Sequence, residues 1–321
     1  MKIKNMENIF GDITSLNLDN TKELILTVCL ASVNNDKLEY QRLQLSNDLT
    51  NDFKENIKNL LCLYKKILEN NDLIIHEHDE GTKLNGYDIE YLNLKACDFV
   101  KTQINDLHPI NDKKLFKFNN NDDFILSLKF YVISIKFKNR MLNFFRIYSP
   151  KKELERSKIF AIFFEKGQFD KIKKPTFLFD YKIDCISENN NIFIFNKNNF
   201  YNMFRYHDLI KKRANNTLRD IKKLNLIRNF DELENSCSSH LQMQLKLSSI
   251  SAKPYLSELN INQIKILNKK CKLDLEIKDG KIVFDKNKKW AILRLLDDGY
   301  LQSLLTQLFY ETDNKRPLNL K

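Results

Sequence analysis

Residues 124–148, FILSLKFYVISIKFKNRMLNFFRIY, constrain the fold more than any other stretch of the chain. Apolar residues alternate through two runs joined at KNR, the spacing of two strands joined by a tight turn. Three more strand-like segments follow, KIFAIFFEK, TFLFD and NIFIFN, the last entered through the turn sequence NNN. Five strands in a row with short connections leave no room for intervening crossover helices, so the sheet is expected to be antiparallel or mixed. From Asn198 to about Arg228 the apolar period changes to helical, and further helical segments are expected over roughly 237–250, 256–270 and 288–296. Residues 273–285 read as a hairpin turning at Asp279-Gly280, because a type I′ turn needs positive φ at both central positions. A last strand or helix is expected between Tyr300 and Glu311.

The N-terminal part has its own pattern. Residues 23–33 and 38–45 are apolar runs separated by NNDK, an opening hairpin. Phe53, Ile57, Leu60, Leu61, Tyr64, Ile67 and Leu68 then recur at helical spacing, with Thr50 or Asn51 able to cap the helix start. A strand, loop and strand over 72–94 and a helix near 95–106 complete this unit. The expected class is α+β, a mixed or largely antiparallel sheet with covering helices. Two sub-domains are expected, an acidic one over residues 1–115 and a basic one over 116–321.

Charge sharpens that division. The chain of 321 residues carries 53 Lys and Arg against 42 Asp and Glu, but residues 1–110 hold 12 against 18 and the remainder 41 against 24. A basic part of this size fits an acidic partner such as nucleic acid or an anionic membrane face. Lysine-rich base composition accounts for part of the excess. The six cysteines are widely spaced with no CxxC pair, which argues against zinc modules and disulfide scaffolds. The N-terminus lacks a secretory apolar region and no run approaches 18 apolar residues, so a cytoplasmic location is expected.

Cations cluster most densely between Lys197 and Arg228, nine against two anions. At about 100° per residue, Phe200, Met203, His207, Ile210, Ala214, Leu218 and Ile221 fall on one face, with Arg205, Lys212, Arg219 and Lys223 opposite. A core face and a cationic ridge on one helix can hold a phosphate backbone, and phosphate contacts give affinity without sequence reading. Lys211, Arg213 and Lys222 flank the ridge, and Lys171, Lys173, Lys174, Lys286, Lys288 and Lys289 could extend it. A soluble helix with solvated charges is the plainer alternative. His76 and His78 have zinc-compatible strand spacing but no further ligands, and His207 fits a hydrogen-bonded core position. Asp274, Glu276 and Lys278 have the look of a carboxylate and lysine strand that could hold Mg²⁺, with Asp180 and Asp184 as distant companions, so a metal-dependent nuclease is the enzymatic alternative. No catalytic residue, metal site or cofactor is assigned.

The stretch from Asn143 to Ala214 resembles the KwaB-like family of the Kiwa anti-phage defence system. The matching features are Gly167 and Phe169, Asp180 and Asp184 in FDYKID, the strand Ile192 to Phe195, and Phe200, Phe204 and Tyr206 opening a helix; the C-terminal DGYLQSLLTQLFYETDNKRPL is similar to that family's ending. The resemblance implies a cytoplasmic DNA-binding effector that self-associates as a homodimer or higher oligomer. It also implies a multi-pass membrane protein as partner, recruitment to the inner face of the cell membrane, and a block on phage DNA replication or transcription. A basic scaffold docking on that partner or on anionic lipid is the non-enzymatic alternative.

Overall fold

The computed structural model describes residues 2–18, 24–34, 37–70, 73–81, 88–107, 128–137, 140–148, 162–165, 168–171, 179–180, 182–251 and 254–312. The architecture is α+β with a mostly antiparallel sheet, as the strand and helix periods indicated. The chain divides into two compact units, one formed by Met1–Glu77 with Tyr87–Phe204 and the other by His78–Gly86 with Arg205–Lys321. The divide expected at residues 115/116 falls in 108–127, outside the described residues; the strands that precede and follow that stretch pair within one sheet.

The first unit opens with α1 (Lys2–Thr14), which the sequence reading did not anticipate, followed by the expected antiparallel hairpin of β1 (Leu24–Asn34) and β2 (Lys37–Arg42). Helix α2 (Asn47–Glu69) starts at Ser46 rather than at Thr50 or Asn51. The Ser46 hydroxyl accepts the Leu49 amide, while Thr50 turns its own hydroxyl back to the Ser46 carbonyl at 2.8 Å. Next come β3 (Ile75–Glu77), β4 (Ile89–Asn93), α3 (Asp98–Asn105), β5 (Leu128–Phe137) and β6 (Arg140–Ile147). Strands β7 (Ile162–Glu165) and β8 (Gln168–Lys171) form a separate hairpin. β9 (Cys185–Glu188), β10 (Asn191–Ile194) and α4 (Lys197–Met203) finish the unit. Of the expected strand TFLFD, residues 176–178 lie outside the described residues.

The main sheet runs β2-β1-β5-β6-β9-β10-β4-β3, antiparallel except for the parallel pair β3 and β4. Its centre is apolar on both faces. On one side Tyr131, Ile133, Ile135 and Phe144 join Phe10 of α1 and Phe53, Ile57 and Leu61 of α2 in a single core. On the other, Phe130 and Phe145 pack at 6.2 Å from each other and at 5.7 and 5.3 Å from Phe204, which follows α4. Each such aromatic withdraws enough surface from water to contribute about 2–3 kcal/mol. Among the polar side chains buried in the sheet, three satisfy one another across strands: Ser134 donates to Asn143 at 2.7 Å, and Asn143 donates to Ser187 at 3.1 Å.

The second unit is mainly helical: α5 (Tyr206–Leu224), α6 (Phe230–Ser238), α7 (Leu241–Ile250), α8 (Ile261–Lys270) and α9 (Lys289–Leu296). Ala214, Leu218 and Ile221 of α5 share a core with Leu247 and Ile250 of α7, Ile264 of α8 and Ile292 of α9. Strands β11 (Ile227–Arg228), β12 (Ile277–Lys278) and β13 (Lys281–Val283) make a small sheet, and Asp279 and Gly280 carry φ values of 51° and 72°, as the expected I′ turn requires. The end of the chain between 300 and 311 is a hairpin of β14 (Tyr300–Gln302) and β15 (Phe309–Glu311). The single helix expected from Asn198 to Arg228 is interrupted. Phe204 ends α4, and Arg205 takes a left-handed conformation at φ 52° before α5 begins.

Candidate nucleic-acid interface

Helix α5 forms because its apolar residues return every three or four positions. Tyr206, Ile210, Ala214, Thr217, Leu218 and Ile221 are buried, and Asn225 at φ 54° stops the helix with its amide on the Lys222 carbonyl. With that stripe fixed, the 100° step puts Lys211, Lys222, Arg219, Lys212 and Lys223 within an outward arc about 120° wide, accompanied by Asn215 and Asn216. All five cations are exposed. Among the described residues, Lys211, Lys212 and Arg219 have no carboxylate within ion-pair distance. Lys223 meets Asp220 at 2.8 Å, and Lys222 meets Asp231 at 3.6 Å with its ammonium 5.3 Å from the Phe230 ring. Exposed pairs of this kind are worth about 0–1 kcal/mol, too little to hold a lysine back from a phosphate. From Lys211 to Lys223 the ridge is about 18 Å long at 1.5 Å per residue.

Two expected members stand elsewhere. Arg205 would fall in register with Lys212, Arg219 and Lys223 only on an unbroken helix; its left-handed backbone takes it off the α5 repeat, and its guanidinium pairs with Asp208 at 2.8 Å. Arg213 lies at the edge of the apolar stripe and turns inward, bonded to the Glu80 carboxylate and at 3.2 Å to the Tyr206 hydroxyl. Glu80 is itself buried and accepts from Tyr206 at 3.1 Å, so Arg213 neutralises an interior acid. Sequence reasoning missed Lys281, whose ammonium donates to the Asn225 side chain at 2.7 Å, and so carries the cationic surface beyond the end of α5. It also left out Arg228, paired to Asp279 at 3.1 Å. The Lys281 contact follows from β11 pairing with β13, which spacing alone does not disclose. Of the other candidate extensions, Lys171 is in β8, Lys173 and Lys174 lie outside the described residues, Lys288 donates to the Leu273 carbonyl at 3.3 Å, and the Lys289 ammonium is 6.0 Å from the Trp290 ring.

The carboxylates of FDYKID are occupied in the fold. Asp184, 1% exposed, accepts from Arg146 at 2.9 Å, Asn199 at 2.7 Å and the Ile147 amide at 2.8 Å. Asp180 takes the remaining edge of the Arg146 guanidinium at 2.5–3.1 Å. Burial pushes the Asp180 carboxyl up, but the Arg146 hydrogen bonds and charge outweigh it and hold the group below its usual range. Asp274 is 3.9 Å from Lys288, and Glu276 pairs with Lys278 at 2.5 Å on an exposed strand end. His76 meets Asp88 at 3.2 Å in the first unit, whereas His78 sets its ring against Tyr206 in the second. His207 is partly buried, and that desolvation lowers its pKa against a smaller opposing effect of Asp208. Among the described residues no three His, Cys, Asp or Glu side chains gather closely enough to hold a metal ion.

Residues 125–306, more than half the chain, match the family model described as Kiwa protein KwaB-like. The chain belongs to the KwaB-like family. The matched region of this KwaB-like chain contains β5 through β14, both members of the FDYKID pair and the whole of α5. No curated protein and no solved structure matches the chain. Among the described residues, no helix is long and apolar enough to cross a membrane.

Proposed function

We propose that this KwaB-like protein acts in Kiwa anti-phage defence by occupying phage DNA, holding its phosphates along the outward face of α5 and thereby blocking replication or transcription. The observation that carries the reading is the ridge of Lys211, Lys212 and Arg219, exposed and without an acidic partner among the described residues, with Lys222, Lys223 and Lys281 extending it. Such a surface has charge and length but no side-chain pattern dedicated to base edges, so it tracks backbone and not sequence. The family suggests partners within the same defence system. In this reading they are a multi-pass membrane protein and further copies of the chain, and DNA is held near the inner face of the membrane.

The test is a titration of a fluorescent 20-base-pair duplex with the full chain across a range of KCl. Affinity is expected to fall steeply with salt and to be insensitive to sequence, each phosphate contact adding about 0.9 to the log–log slope. Changing Lys211, Lys212 and Arg219 to Glu should weaken binding by about 100-fold at low salt and flatten the slope by about 3. Unchanged affinity at low salt removes α5 from the interface.

A further inference from the structure

Two lysine pairs on α5, Lys211-Lys212 and Lys222-Lys223, repeat at an interval of about three helical turns, or about 16.5 Å. Successive residues of a helix point about 100° apart, so each pair divides between two flanks of the outward arc. Lys211 and Lys222 fall on one flank, Lys212 and Lys223 on the other, and all four are exposed. Between these rows lie Asn215 and Arg219, about one turn apart and also exposed. From Lys211 to Lys223 no carboxylate and no apolar side chain falls inside the arc. The nearest acids stand outside it: Asp220 falls about 60° past the second row and meets Lys223 at 2.8 Å, Asp231 of α6 is 3.6 Å from Lys222, and Asp208 precedes the first pair and bonds Arg205 at 2.8 Å. α5 runs beside α7 more extensively than beside any other element, and it does so on the buried side, where the Thr217 hydroxyl donates to the Leu247 carbonyl at 2.9 Å.

A single row of cations suffices for a helix that lies against one strand of phosphates. Two rows on opposite flanks, with a short amide and one arginine between them, suit a helix let into a groove with phosphates on both walls. An α-helix with its side chains is about 10–12 Å across, and the major groove of B-form DNA is about 12 Å wide. The B-form minor groove, about 6 Å wide, is too narrow, and the major groove of A-form RNA is too deep and narrow for side chains to reach into. We infer that α5 enters the major groove of B-form DNA, its four paired lysines reaching phosphates of both strands and Asn215 and Arg219 facing the groove floor, so that the ligand is double-stranded DNA and not double-stranded RNA. The inference rests on the DNA-binding reading above and adds the form of the ligand. A purine N7 acceptor is present in every base pair, so Arg219 at the floor requires no particular sequence.

The test titrates the full chain, at one low salt concentration, against three labelled duplexes of one sequence: ordinary DNA, DNA in which every cytosine carries a glucosylated 5-hydroxymethyl group, and RNA. The sugar projects from the pyrimidine 5-position into the major groove and leaves the phosphate charge unchanged. Ordinary DNA should bind at least about fivefold more tightly than either of the other two. A smaller difference for either duplex overturns the inference while the DNA-binding reading stands. Failure to bind ordinary DNA overturns both. The Lys211, Lys212 and Arg219→Glu chain, measured on the same three duplexes, should lose the preference; a preference that keeps its size there gives the groove to another element and also overturns the inference.

Discussion

Both units bury ion pairs, but only the second gathers exposed cations along one face of a described helix opposite its core stripe. In the first, Arg140 pairs with Glu188 at 2.5 Å, Lys197 with the fully buried Glu90 at 2.8 Å, and Arg146 with both Asp184 and Asp180. In the second, Lys246 and Arg213 serve interior acids in the same manner, but the outward arc of α5 keeps its charge on the surface. A count of Lys and Arg cannot tell these populations apart. What separates them is whether a cation lies beside the apolar stripe, where a buried acid can reach it, or opposite the stripe, where only solvent or a ligand can.

The largest consequence is expected for an inward cation of the first unit. Arg146→Met leaves Asp184 buried without its countercharge and should cost about 3–5 kcal/mol in urea unfolding. The same change should remove the acid sensitivity contributed by Asp180. Because its folded pKa is depressed, the stability it confers is present above about pH 4, the unfolded carboxyl value, and is lost as pH falls through the lower folded value. An Arg146→Met chain as stable as the native one would break the contrast.

A smaller effect is expected at Arg213, the inward member of the cationic helix. Arg213→Met should destabilise by about 2–3 kcal/mol through the stranded Glu80, while duplex affinity stays within about twofold. A large loss of affinity with unchanged stability would return Arg213 to the outward population. The smallest effect belongs to His207. Its folded pKa is lowered, so the unfolded chain binds the proton more readily, and stability should decline as pH drops below about 6.5 toward the folded value. His207→Asn should flatten that part of the pH–stability curve without altering DNA binding.

Much of the fold was legible where one period runs long enough to dominate. The α2 stripe, the β5–β6 hairpin and the Asp279-Gly280 turn each state their structure locally, whereas the role of Asp180 and Asp184 does not, since the Arg146 they share lies more than 30 residues away. Other elements depend on partners. α1 presents Met6, Phe10 and Ile13 at helical spacing, but few residues support that pattern, and its stability comes from packing on α2 and the sheet. β9 is four residues long and buries Ser187 and Glu188 beside Cys185 and Ile186, so it shows no alternation. The break at Phe204–Arg205 has no local mark, since arginine has no preference for positive φ. The ridge was legible as an arc opposite the core stripe. The inward turn of Arg213 was not, because its acid lies 133 residues away in sequence.

If the protein holds DNA as proposed, position on α5 and not net charge decides which cations bind it. This is tested most directly by two charge reversals of equal size in the same unit, Lys211, Lys212 and Arg219→Glu on α5 against Lys265, Lys269 and Lys270→Glu on the exposed face of α8. Measured on one duplex at one low salt concentration, the α5 variant should lose about 100-fold in affinity and the α8 variant less than about fivefold. Equal losses in both variants, or a greater loss in the α8 variant, would contradict the account.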